Sequence, residues 1–142
     1  MPIHSELKTV FTEYAKKDAE VVRARGTRPI FFMSWAYADK PEMTAQLAEA
    51  YTIAGNANNA LVIPAGLAFA RSVSKQPELN LYVADKRHPS LAGTYLAACV
   101  VFSALTGKSP VYSRQGTGFR LHAENKNAFG STAAVLDWNV PK

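Results

Sequence analysis

The chain has 142 residues, of which 48% are hydrophobic and 19% charged, with a single cysteine. That is enough apolar material for one domain with a core, and it excludes whole-chain disorder and a disulfide scaffold. Sixteen Lys+Arg against eleven Asp+Glu give a net charge of +5, a mild excess that favours solubility without specifying a nucleic-acid partner.

The first helix is predicted from Ser5 to Arg25, with Leu7, Val10, Phe11, Tyr14 and Val21 or Val22 on its apolar face. Ser5 is the expected N-cap and Gly26 the stop. Pro29 to Trp35 is a short continuous apolar run, the pattern of a strand buried on both faces. A second helix opens at Asp39-Lys-Pro41, carries Met43, Leu47, Ala50, Tyr51 and Ala54 at helical spacing, and ends at Gly55-Asn56. Ala60 to Ile63 reads as another buried strand, Pro64-Ala-Gly66 leads into a third helix ending near Ser74, and Leu81 to Ala84 is extended. The fourth helix runs from about Ser90 to Thr106, with Leu91, Tyr95, Ala98, Phe102 and Leu105 as its apolar stripe and Gly107 as its stop.

Helices alternating with buried strands give an α/β class: two or three short parallel strands covered on both faces, with exposed sheet edges. The domain is expected to span residues 1–110. Residues 111–142 are rich in Gly, Ser, Thr and Asn and read as an irregular tail in which only Ala133 to Trp138 could form an element. No run of about eighteen apolar residues is present, and Met1 to Thr12 lacks the basic start, apolar stretch and small-residue site of a leader. The expectation is therefore no membrane contact and, by default, a cytoplasmic protein.

The chemistry is concentrated in Val83-Ala-Asp85-Lys-Arg-His88-Pro-Ser90, between a strand end and a helix start. Ligands of open α/β sheets bind beyond the carboxyl ends of the strands, where this loop is expected. A carboxylate bonded to one imidazole nitrogen fixes the tautomer and leaves the other nitrogen to take a proton from a hydroxyl. The bland alternative is a turn-capping Asp85 beside a His88 that satisfies a backbone carbonyl, and for the two residues alone it is the commoner outcome.

The longer pattern adds Gly93-x-Tyr95-Leu96-Ala97-Ala98 and Leu105-Thr106-Gly107-x-Ser109-Pro110, with Phe32 to Tyr37 and Val62-Ile-Pro64-Ala-Gly66 upstream. Together these resemble the C-terminal block of SGNH/GDSL-type hydrolases over roughly Ser5 to Pro110. The resemblance implies an incomplete flavodoxin-like three-layer α/β/α fold and hydrolysis of small acyl esters. It makes His88 the general base and Asp85 the residue that orients it. The family's nucleophilic serine sits in a GDS-like block, and its oxyanion hole uses a Gly and an Asn from later loops. No GDS, GNS or GxND string occurs in the chain, so the expectation is a gene fragment with a catalytically incomplete site.

Ser34 is the least unsuitable substitute nucleophile, although a backbone-bonded strand hydroxyl is its simpler reading. Ser90 reads as the N-cap of the fourth helix. His4, His88 and His122 share no metal-ligand spacing, Cys99 reads as core filler, and Gly116-x-Gly118 lacks the context of a phosphate loop, so neither metal nor cofactor is expected. Lys16-Lys17, Arg23, Arg25 and Arg28 read as solvated helix charge. Lys86-Arg87 could attract an anionic substrate group, and Trp35 with Tyr37 either lines a pocket or covers the core edge. The competing functional reading is a non-catalytic protein that forms a homo-oligomer through the exposed sheet edge.

Overall fold

The computed structural model describes residues 5–110 and, beyond them, the backbone pairing of two short segments. Helix α1 covers Ser5–Ala24, strand β1 Ile30–Phe32, helix α2 Met43–Ala57, strand β2 Leu61–Ile63, helix α3 Ala65–Lys75 and helix α4 Leu91–Thr106. Strands β3 (Arg120–His122) and β4 (Val135–Asp137) pair antiparallel. The strand β4 falls inside the Ala133 to Trp138 run, so the segment read as irregular contains a paired ribbon. Ser5 opens α1, but its side chain, like those of His4 and His122 and the Gly116-x-Gly118 string, lies outside the described residues.

Strands β1 and β2 pair in parallel, with Ile30, Phe31 and Phe32 opposite Leu61, Val62 and Ile63. The α2 crossover supplies the connection that a parallel pair requires. Side chains alternate across this small sheet. On one face Val62 and Met33 meet Met43 and Leu47 of α2. On the other, Ile63 meets Phe69 of α3 and Leu96 and Val100 of α4, with Leu81. The layers are helix, short sheet, helix: an incomplete α/β fold. Two glycines allow the layers to close. A Cβ on Gly66 would overlap the Ser34 carbonyl, and one on Gly55 would overlap Val62.

Four expectations are corrected by this packing. Strand β1 is not buried on both faces, since Ile30 and Phe32 are 44% and 40% exposed. Helix α1 turns Ala15 and Ala19 inward and leaves Val10, Tyr14 and Val21 exposed, because it meets α2 at close range, with Phe11 against Tyr51 (centroids 5.0 Å apart). Helix α2 starts two residues beyond Pro41 and runs through Gly55; Asn58 ends it, its buried side-chain amide donating to the Ala54 carbonyl at 2.9 Å.

The fourth correction is the largest. Helix α4 buries Gly93, Leu96, Cys99, Val100 and Ser103, so the stripe from Leu91 to Leu105 lies on the outer face. The helix has apolar residues all round, and periodicity cannot choose between its faces. The two ends were legible: Ser90 Oγ accepts from the Gly93 amide at 3.2 Å, and Gly107 adopts φ 66°. Leu81 to Ala84 forms no strand. Tyr82 makes a single antiparallel bridge to Pro89, because the backbone turns back on itself at Asp85.

Candidate active site

The turn between Leu81 and Ser90 is closed by its own backbone. The Ser90 amide donates to the Leu81 carbonyl at 2.9 Å, the Val83 amide to His88 at 3.0 Å, and the Lys86 amide to Val83 at 3.0 Å. Lys86 takes the left-handed conformation at the apex, φ 63°. Inside this turn one carboxylate oxygen of Asp85 accepts from the Arg87 and His88 amides, both at 2.9 Å. Its other oxygen meets His88 Nδ1 at 2.5 Å. Asp85 thus caps the turn and also contacts the His88 imidazole, the two readings set against each other on sequence grounds. The contact with the His88 side chain, then the amides of His88 and Arg87, hold the Asp85 carboxyl well below the usual carboxylate range. An ionised Asp85 favours the tautomer with the proton on Nδ1 and leaves His88 Nε2 with a lone pair. Both side chains are solvent-exposed.

Three long-range hydrogen bonds dock the turn on the loop that follows β1, one of them made by Tyr82. Trp35 Nε1 donates to the Arg87 carbonyl at 2.9 Å, and the Ala38 amide donates to the Lys86 carbonyl at 2.9 Å. The turn therefore sits beyond the carboxyl ends of the parallel strands, as expected of a ligand site in this class. Trp35 stacks on Phe69 at 4.3 Å between centroids and 9° between planes, so it covers the core edge. Tyr37 does more: the Arg87 guanidinium lies over its ring at 5.0 Å, and the same residue lines a cavity of about 530 Å³. That cavity lies among Phe69, Val73, Pro77, Leu79 and Tyr82 and is mainly apolar. Of the Trp35–Tyr37 pair both cover core, Tyr37 beside Met33 and Met43, and Tyr37 also lines the cavity.

The alternative nucleophiles are engaged elsewhere. Ser34 is an interaction partner of the Tyr51 phenol, which burial pushes above its ordinary value despite that contact. Ser90 Oγ donates to the Asn80 carbonyl at 2.8 Å while capping α4. Cys99 is buried, and burial pushes its thiol up, away from a reactive thiolate. Lys16 and Lys17 pair with Glu20 and Glu13 one turn away. Among the described residues no group of three His, Cys, Asp or Glu could hold a metal ion, and no helix is long and apolar enough to cross a membrane.

Sequence reasoning passed over Tyr82. It is half-buried, its hydroxyl donates to the Ala36 carbonyl at 2.9 Å, and it ties the start of the turn to the post-β1 loop from within the cavity wall. Its only sequence signal was a place in the apolar Leu81 to Ala84 run.

No protein-family model matches the chain, and no curated protein matches it. A solved structure from Slackia heliotrinireducens, provisionally assigned as an SGNH hydrolase, is similar with a TM-score of 0.60 and 28% sequence identity over 75% of this chain. The chain spans 60% of that protein's length. The described body is similar in fold to that SGNH hydrolase-like structure.

Proposed function

We propose that this chain carries the acid–base portion of an SGNH-like acyl-ester hydrolase, with His88 as general base and Asp85 as the residue that orients it. The observation that carries this reading is the 2.5 Å contact between His88 Nδ1 and Asp85, made on a turn beyond the sheet's carboxyl ends. Nε2 takes the proton of an attacking hydroxyl, the oxygen adds to the ester carbonyl, and the same proton passes to the departing alkoxide. Asp85 stays ionised and stabilises the imidazolium between these steps. The apolar cavity lined by Tyr37 is a fitting receptacle for the acyl part, and Arg87 lies over the Tyr37 ring with its positive charge.

The chain holds no GDS-like block, and Ser34 and Ser90 are engaged away from His88. The expected outcome is slow, His88-dependent hydrolysis of activated short-chain esters by water, without a serine adduct after fluorophosphonate treatment. Turnover unchanged in His88→Ala would remove His88 from the chemistry. A fluorophosphonate adduct on a serine, lost in His88→Ala, would show that the site is complete.

A second reading, a non-catalytic interaction protein, is favoured by one observation: one edge of β1 pairs with no other described strand, and the strand's Ile30 and Phe32 side chains are exposed. If that edge mediates association, Ile30→Lys lowers the light-scattering mass while ester turnover is unchanged.

A further inference from the structure

The cavity and the Asp85–His88 turn meet at one residue. Tyr37 lines the cavity of about 530 Å³, and the Arg87 guanidinium lies over its ring, 5.0 Å from the centroid. Lys86 is joined to the same wall, since its carbonyl accepts from the amide of Ala38, another lining residue. Among the described residues no charged side chain lines the cavity, whose polar members besides the tyrosines are Thr44, Ser74 and Asn80.

Charge and apolar surface are thus separated on the two sides of the Tyr37 ring. Among the described residues neither Arg87 nor Lys86 pairs with a carboxylate. Asp85, the nearest in sequence, is occupied by the amides of Arg87 and His88 and by the His88 ring. With two cations against that one carboxylate, the turn keeps a net positive charge. A ring contact leaves guanidinium N–H groups for an oxygen acceptor, and their fork matches a carboxylate. An apolar hollow with a cation at its wall is complementary to an amphipathic anion, whose tail gains by leaving water while its head is held outside.

We propose that this cavity binds a medium-chain aliphatic carboxylate, its tail among Phe69, Val73 and Leu79 and its head at Arg87. The volume lies in the range of small-molecule sites and suits a tail of about eight carbons. The inference deepens the hydrolase reading and rests on it for the origin of the ligand. Water adds to the acyl carbon of an ester, the alcohol departs, and the acid loses its proton to leave a carboxylate beside Arg87. The site therefore retains its product and is inhibited by it.

The test uses the full chain with octanoate as the probe. Calorimetric titration is expected to show one saturable site below about 10 mM. Octylammonium, with the same tail and the opposite charge, is expected to bind about tenfold more weakly. Arg87→Gln is expected to weaken octanoate about fivefold, a modest factor because the guanidinium is exposed, with Arg87→Lys between the two. Val73→Trp, at a 43% exposed position in the cavity wall, is expected to abolish binding with unchanged circular dichroism. Octanoate is also expected to inhibit ester turnover competitively, with an inhibition constant equal to its Kd. Octanoate that does not bind, binds no better than octylammonium, or withstands Val73→Trp overturns the proposal. His88-dependent turnover that saturating octanoate leaves untouched overturns product retention while the hydrolase reading stands. Turnover independent of His88, with octanoate binding intact, overturns that reading and supports the carboxylate site.

Discussion

Gly93 sits in the first turn of α4, directly over the segment that leads into the Asp85–His88 turn. Helix propensity alone predicts that Gly93→Ala stabilises the protein by about 1 kcal/mol. The packing predicts the opposite. A Cβ here would overlap the Leu81 carbonyl oxygen, with Phe69 Cζ at 3.0 Å and Pro89 Cβ at 3.1 Å. The carbonyl cannot step aside cheaply, because it is the acceptor of the Ser90 amide at 2.9 Å. Overpacking of this kind costs about 1–3 kcal/mol, and displacing the Leu81–Ser90 hydrogen bond costs about 1 kcal/mol more. Set against the propensity gain, the net expectation is a loss of about 1–3 kcal/mol, or a fall in melting temperature of roughly 5–15 °C. Urea denaturation followed by circular dichroism measures it. A control on the solvent side of the same helix, Ala98→Gly, should lose about 1 kcal/mol by propensity alone. A Gly93→Ala protein as stable as the parent, or more stable, would refute the claim that α4 is held in close contact with the Leu81 carbonyl.

Other expectations follow from the same geometry. Phe69→Ala should cost about 3–5 kcal/mol and change the fluorescence of Trp35, its stacking partner, as read by denaturation and emission spectra. Ser90→Ala should cost about 1 kcal/mol through loss of the cap to the Gly93 amide, with faster amide exchange confined to the first turn of α4. Asp85→Asn keeps an oxygen for the Arg87 and His88 amides but removes the charge that fixes the His88 tautomer. Nitrogen chemical shifts of the imidazole should then show proton density leaving Nδ1, with ester turnover reduced. The lowered folded pKa of Asp85 sets the sign of its acid response. The stabilisation it gives the turn is complete above about pH 4, the unfolded carboxylate value, and is lost as pH falls through the lower folded value. Amide protection of Arg87 and His88 should therefore stay constant down to about pH 4 and decline below it.

The helices were legible because their stop signals are local: Gly26 at φ 72° and Gly107 at φ 66° end α1 and α4 where a chain of L-residues would not readily turn. The Asp85–His88 pairing was legible for the same reason, since it spans three residues. Burial was not legible where the contact is long-range. In α1 the inward face is the small one, Ala15 and Ala19, because closeness to α2 matters more there than side-chain size. In α4 the stripe that reads as core lies outside, and the core face is built from Gly93, Leu96 and Val100, whose roles depend on Leu81, Phe69 and Ile63 arriving from elsewhere in the chain. Strand β1 read as buried because Pro29 to Trp35 is apolar throughout. Its exposure depends on what packs over each face, which a run of seven residues does not encode. Tyr82 was missed because a tyrosine in an apolar run reads as core until the position of its hydroxyl is known.

The two kinds of hydrogen bond that hold the Asp85–His88 turn have unequal sequence reach. Those that shape it span at most nine residues, whereas Trp35, Ala36 and Ala38 fasten it to the body from about fifty residues away. Closing a short loop costs little chain entropy, and closing a long one costs more. On warming, the far fastenings should therefore release first, and the turn should swing away as an intact plate with its imidazole still gripped. On the hydrolase reading proposed above, heat would then act by misplacing the pair, at a temperature below that at which the pair itself comes apart.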